Sequence, residues 1–316
     1  MNLSLDSIRE VQKMLDTNVF DSNLLLQILN SFGEDIAVIP IMLLAEQKVL
    51  RTRPNKDDFF GYIHELSYPP AEFARTDRAS LEGKPMFYAS VFTKDTEKTK
   101  SLPRIVSALE TIPLLKDIGA SGVKVMTQSV WMVNEPIHAF AFPFSDKYKR
   151  ACSEIDMLNK GWNKTLIMNY SNESIEFFTY IGDLMALPQT SCLYDITATC
   201  VDYILSNFNF EGVIYPSVPV EGEGMNICIK PAVVDSKISF SGAAIEVILR
   251  SGMQSRIEVL GHANIISDDA FEWIITNDGK ILMSQAGMIR PEQTDREIVV
   301  RSQELMNKLE KSIYEQ

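Results

Sequence analysis

Four short segments of this sequence carry side chains whose types and spacing could do chemistry. In Leu50–Arg51–Thr52–Arg53–Pro54, two arginines stand two residues apart. On a strand that spacing points both to one face, and guanidinium forks bind phosphate oxygens two at a time, so the pair suits a pyrophosphate. Two solvated surface arginines would give the same pattern. From Asp77 to Ser90, a turn containing Arg78, Gly83 and Pro85 delivers the aromatic run Met86–Phe87–Tyr88. Tyr88 could stack on a planar ring such as nicotinamide and offer its hydroxyl, or serve as a core tyrosine. Glu110 lies in the largely apolar stretch from Ile105 to Leu115. A carboxylate held there could stabilise positive charge developing on a ribose. The alternative is the outer face of an amphipathic helix. The fourth segment, Tyr215–Pro216–Ser217, ends the apolar run Gly212–Val213–Ile214. A Ser217 hydroxyl there can hydrogen-bond a phosphate or ribose oxygen, or simply belong to a turn. It has no evident base to make it a nucleophile.

The elements that must position these groups follow from periodicity. Residues from Leu5 to Gln47 read as two helices, with Ser7 and Glu10 in a capping-box pattern and Leu24, Leu25, Ile28, Leu29 and Phe32 at helical spacing. Without a flexible linker after it, this part is expected as an arm packed on the main domain. Strands are expected at 49–53, 86–92, 123–133, 138–142, 212–215, 226–230, 238–249 and 257–266. A helix should begin near Pro103 and be kinked or ended by Pro113. Further helices are expected at 147–159, 174–187, from Leu193 to Phe208, and from about Arg296 to Tyr314. Asp278–Gly279, between apolar runs, predicts a hairpin turn. Strands and helices do not alternate regularly and hairpin signals recur, which points to an α+β fold with a mostly antiparallel sheet.

Composition removes several function classes. The 316 residues carry a net charge of −12 and no basic stripe, so no nucleic-acid partner is expected. No apolar run reaches the length of a membrane span, and the N-terminus lacks a secretory signal, so a cytoplasmic protein without a membrane partner is expected. Cys152, Cys192, Cys200 and Cys228 form no CxxC, and His64, His138 and His262 are scattered. They read as buried reduced thiols and isolated histidines, with no metal site. P-loop, HExxH and GxSxG patterns are absent, and Gly222 and Gly224 lack the third glycine of a dinucleotide fingerprint.

Taken in order, the four segments resemble the RES family, named for its Arg, Glu and Ser, over about Val49 to Lys237. Arg51 matches the family's first arginine, and Arg78–Ala79–Ser80 with Pro85–Met86–Phe87–Tyr88 its turn and Tyr strand, although Ser80 stands where the family often has Asn. Glu110 matches its glutamate. Tyr215–Pro216–Ser217, with Gly222–Glu223–Gly224–Met225–Asn226, is similar to its Tyr-Pro-Ser segment and Gly-rich tail. The resemblance implies a fold like that of the ADP-ribosyltransferases and NAD as substrate, with no metal. It implies cleavage of the nicotinamide–ribose bond by phosphorolysis or hydrolysis, in a possible toxin with a cognate antitoxin protein. Transfer of ADP-ribose to a protein is a second reading, and a catalytically weak nucleotide-sensing or interaction module a third. By carry-over, Arg51 and Arg78 grip the pyrophosphate, Tyr88 meets the nicotinamide end, Glu110 the ribose, and Ser217 a phosphate or ribose oxygen, with Arg53 and Tyr215 as further binding residues. The chain then divides into a helical arm at 1–47, a RES-like NAD-binding core at 48–240, and a region at 241–316 that completes or extends it.

Overall fold

The computed structural model describes residues 3–56, 58–92, 102–117, 119–145, 169–188, 190–219, 224–285 and 304–309. In chain order the elements are α1 (Leu3–Thr17), α2 (Ser22–Phe32), β1 (Ile39–Leu43), β2 (Lys48–Pro54), α3 (Ile63–Leu66), β3 (Phe87–Val91), α4 (Leu102–Thr111), α5 (Pro113–Lys116), β4 (Gly122–Val133), β5 (Ile137–Ala141), α6 (Asn172–Met185), α7 (Ser191–Asn207), β6 (Gly212–Pro216), β7 (Met225–Ile229), α8 (Pro231–Lys237), β8 (Ile238–Ser251), β9 (Gln254–Ile265), β10 (Phe271–Ile275) and α9 (Asn277–Gln285). Residues 304–309 are also helical. The protein is α+β, with mostly antiparallel strand pairing and flanking helices. No helix among the described residues is long and apolar enough to cross a membrane. The helix expected at 147–159 lies outside the described residues, as does most of the one expected from Arg296.

The chain divides into two compact units, each built from three stretches of sequence. The first comprises Met1–Gln47, Tyr68–Thr99 and Val133–Ile238; the second comprises Lys48–Ser67, Lys100–Met132 and Ser239–Gln316. In the first unit the strand order is β1-β5-β6-β7-β3. β5 and β6 run parallel, while β6–β7 and β3–β7 are antiparallel. Every residue of β6 and β7 is buried, as expected of largely apolar strands covered on both faces; Asn226, the polar residue of β7, accepts from the Ser90 hydroxyl at 2.9 Å. The N-terminal helices belong to this unit's core, where Val11, Met14, Leu25 and Leu29 join Phe177, Phe178 and Ile181 of α6 and Ile196 and Ile204 of α7. Ser7, read from sequence as a helix cap, instead lies inside α1 and is buried. Asp21 caps α2 through the Leu24 N–H at 3.0 Å.

In the second unit the order is β2-β4-β8-β9-β10. Its two sheet faces are distinct. One carries Val123, Val125, Ile245 and Val247 and packs on Met283 of α9 and Leu305, Met306 and Leu309. The other carries Met126 and Ile248 beneath Ala108 of α4 and Ile112. Pro113 acts as the sequence implied: α4 stops at Thr111 and the short α5 restarts at Pro113. The Asp278–Gly279 hairpin does not form. β10 ends at Ile275 and α9 follows, its start fixed by the Thr276 hydroxyl accepting from the Gly279 N–H at 2.9 Å. Gly279 is required for contact rather than for a turn, since a Cβ there would lie 2.2 Å from the Leu260 carbonyl oxygen.

Candidate functional site

Two groups of polar side chains stand out, one in each unit. In the second unit, β2 alternates as its sequence implies. Arg51 and Arg53 share one face; Lys48, Leu50 and Thr52 share the other. Arg53 is committed within its unit. Its guanidinium donates to the Glu65 carbonyl and lies 5.1 Å over the Phe60 ring. Burial lowers its pKa, partly offset by the Glu65 charge. Arg51 is half-buried, and its carbonyl accepts from the Ser129 hydroxyl at 3.3 Å. α4 lies against the opposite face of β2, where the Thr52 hydroxyl donates to Ser107 Oγ at 2.7 Å. Glu110 is on α4, half-buried, with its carbonyl accepting from Lys116 Nζ at 3.0 Å. The structure therefore places Glu110 on the α4 side of β2 and the arginine pair on the other side.

In the first unit, two of the four sequence segments converge. The Tyr88 hydroxyl accepts from the Ala79 N–H at 3.1 Å and donates to Ser80 Oγ at 3.0 Å. Asp77 and Ser80 pair backbone to backbone, so the phenol fastens the turn to the strand that follows it. Enclosure of that phenol drives its pKa well above the usual range, with the nearby Asp77 charge adding to the rise. Arg78 points the other way and is 5 % exposed. Its guanidinium donates to the Met185 carbonyl at 2.6 Å, the Leu187 carbonyl at 3.1 Å and the Tyr194 hydroxyl at 3.2 Å. It stacks 5.0 Å from the Tyr194 ring and 6.0 Å from the Tyr215 ring. A cation on the carbonyls at and just beyond the C-terminus of α6 satisfies groups that the helix itself leaves unpaired. Tyr215 and Ser217 are buried, and the Ser217 N–H donates to the Gly224 carbonyl at 2.8 Å. Arg78, Tyr88, Tyr215 and Ser217 thus belong to the first unit, and Arg51, Arg53 and Glu110 to the second.

Sequence reasoning missed a cleft of about 470 Å³ on the second unit, lined by β2, β4, β8, β9 and the start of α4. Arg104 and Glu246 form an ion pair in it, the Glu246 carboxylate buried and Arg104 part-exposed. Burial raises the Glu246 pKa, and the Arg104 charge and hydrogen bond pull it back. Gln128 ties the pair to the sheet. Its Oε1 accepts from Arg104 Nε at 3.3 Å, and its Nε2 donates to the Arg104 carbonyl at 2.8 Å and to Thr52 Oγ1 at 3.0 Å. Lys48, Ser241 and His262 complete the polar lining. One signal was present in the sequence: Glu246 is the lone charge in the run Ala243–Ala244–Ile245–Glu246–Val247–Ile248–Leu249, and a charge inside a buried strand needs a partner. No cluster of three metal-ligating side chains occurs among the described residues. The chain matches no family model, and no curated protein matches it.

Proposed function

We propose that the chain is a RES-like NAD-handling protein with an ADP-ribosyltransferase-like arrangement, which binds NAD and breaks its nicotinamide–ribose bond by hydrolysis or phosphorolysis. One observation carries the reading. The turn at 77–80, the Tyr88 strand and the Tyr215–Pro216–Ser217 segment, far apart in sequence, are joined in the first unit by the Tyr88 hydroxyl and the Arg78–Tyr194–Tyr215 stack. Within this reading Arg78 organises the site from behind, because its donors are engaged by protein carbonyls. Glu110 is on α4, which packs on the face of β2 opposite the arginine pair, so the reading rests on the other residues and leaves the part of Glu110 to the variant below. A cognate antitoxin is the partner this reading implies.

A second reading, a nucleotide sensor that binds without turnover, is favoured by the same two placements. In it Arg78 and Glu110 serve the fold rather than the chemistry, Arg78 by its contacts to protein carbonyls. Purified full-length protein incubated with NAD, with and without phosphate, separates the readings by product mass. Cleavage yields nicotinamide together with ADP-ribose, or with ADP-ribose phosphorylated at the anomeric carbon. Intact NAD that nevertheless binds in calorimetry establishes the sensor. Absence of both binding and consumption ends the NAD assignment. Glu110→Gln serves as the internal control and should match the wild type in binding and turnover; a selective loss of turnover of order 10²–10³ would restore Glu110 to the mechanism.

A further inference from the structure

The cleft on the second unit has a composition that none of the foregoing uses. α4 covers the Met126–Ile248 part of one sheet face through Ala108 and Ile112. The cleft continues that face beyond the start of the helix, over Leu50, Val130, Ala244 and Val259. Registers confirm the shared face: Leu50 is opposite Val130, Thr52 opposite Gln128, Ala244 opposite His262, and Glu246 opposite Val259. A register shift between Ile245 and Glu246 keeps both of the latter pairs on that face. Ser241, Gly242, Ala243 and Ala244 offer little side-chain volume, which leaves the space open.

From this lining we infer that the cleft is a binding site for a small organic anion: one carboxylate or phosphate group on a compact body with apolar faces. Charge selects the anion. Lys48 and Arg104 face one carboxylate, Glu246, which Arg104 already pairs, so Lys48 leaves the lining with a net positive charge. In a molecule of net charge −12 this is a local focus of cations. The planar Arg104 fork, braced by Gln128 and Glu246, is oriented before any ligand arrives, which reduces the ordering cost of binding. Size and walls select the body. The volume falls within the range of small-molecule sites, and Leu50, Val130, Val259, Ala243, Ala244 and Ala263 supply apolar contact. The site does not depend on the NAD reading.

The test uses the full chain and four probes in calorimetry at millimolar concentration: phenyl phosphate, benzoate, neutral benzamide and inorganic phosphate. Phenyl phosphate and benzoate should bind, and benzamide should not. Lys48→Gln should weaken both anions roughly tenfold, the scale of one charge-assisted contact, and Ala244→Leu should abolish binding by filling the cleft. Neither substitution touches the Arg104–Glu246 pair, and unchanged circular dichroism melting establishes that both variants fold. The inference is overturned if neither organic anion binds, or if both variants bind like the wild type. Equal affinity for inorganic phosphate and phenyl phosphate would overturn it as well, because the apolar walls would then contribute nothing.

Discussion

Glu246 shows how far a single residue's chemistry is set by its surroundings. Its carboxylate is buried, and Arg104 is the counter-charge that makes this tolerable. Removing one partner of a buried pair leaves an uncompensated charge, which costs more than the pair contributes. Arg104→Ala should therefore destabilise the protein by about 3 kcal/mol, the low end of that range because the arginine itself is part-exposed. Glu246→Gln added to it should recover most of the loss. The pH dependence has a definite sign. The folded pKa of Glu246 is raised, first by burial, so the folded state holds this proton more tightly than the unfolded chain does. Its ionisation costs nothing below the unfolded glutamate pKa, then lowers stability as pH rises from there through the raised folded value. Urea unfolding across that window should show a decline in Arg104→Ala that vanishes in the double variant; parallel profiles would mean the carboxylate is not desolvated. Arg78 teaches the complementary lesson about legibility. Its planar donors suit a pyrophosphate, as the resemblance suggested, but they suit the carbonyls at and just beyond the end of α6 equally well. No local pattern tells the two acceptors apart, because Met185 and Leu187 stand more than a hundred residues away.

Elements were more readable than their partners. The apolar runs of β6 and β7, the stop before Pro113 and the helical spacing of α2 and α7 each follow from a local rule, and each formed where the pattern placed it. Pairing is a different matter. β4 and β5 are separated only by Asn134–Glu135–Pro136, yet β4 pairs with β2, and β5 with β1 and β6. For the same reason the face on which Arg51 would meet Glu110 was not legible, since it depends on which side of β2 receives α4. The Asp278–Gly279 signal failed because glycine has two uses, a turn and a close approach, and here the second applies. This gives a prediction in which two rules disagree in sign. Inside a helix, Gly→Ala ordinarily stabilises by about 1 kcal/mol. At position 279 the new Cβ would overlap the Leu260 carbonyl, so Gly279→Ala should destabilise by about 1–3 kcal/mol, the cost of overpacking. A lower urea midpoint with an unchanged slope is the expected result; a higher midpoint would show that α9 does not press on β9.

At the scale of the whole molecule, the imbalance of charge matters more than any exposed ion pair. The chain has 42 acidic and 30 basic side chains. Its surface pairs, such as Arg9 with Asp6 and Arg75 with Glu82, are largely solvated, and exposed pairs of this kind contribute little. The excess of carboxylates, by contrast, repels itself throughout the folded state. At about 0.01 M salt the screening length is roughly 30 Å, so that repulsion spans the molecule; near 0.15 M it is roughly 8 Å and only neighbours interact. Raising sodium chloride through this range should therefore raise the melting temperature by a few degrees, the shift expected when about 1 kcal/mol is recovered in a domain of this size. Chloride is also a weak anion for the Lys48–Arg104 cleft, so the measurement should be repeated in Lys48→Gln. If general screening is responsible, the variant follows the wild type. A salt response confined to the wild type would assign the effect to anion occupancy, and a melting temperature that falls with salt would mean that ion pairs, Lys84–Asp202 and Lys237–Glu211 first among them, outweigh the net repulsion.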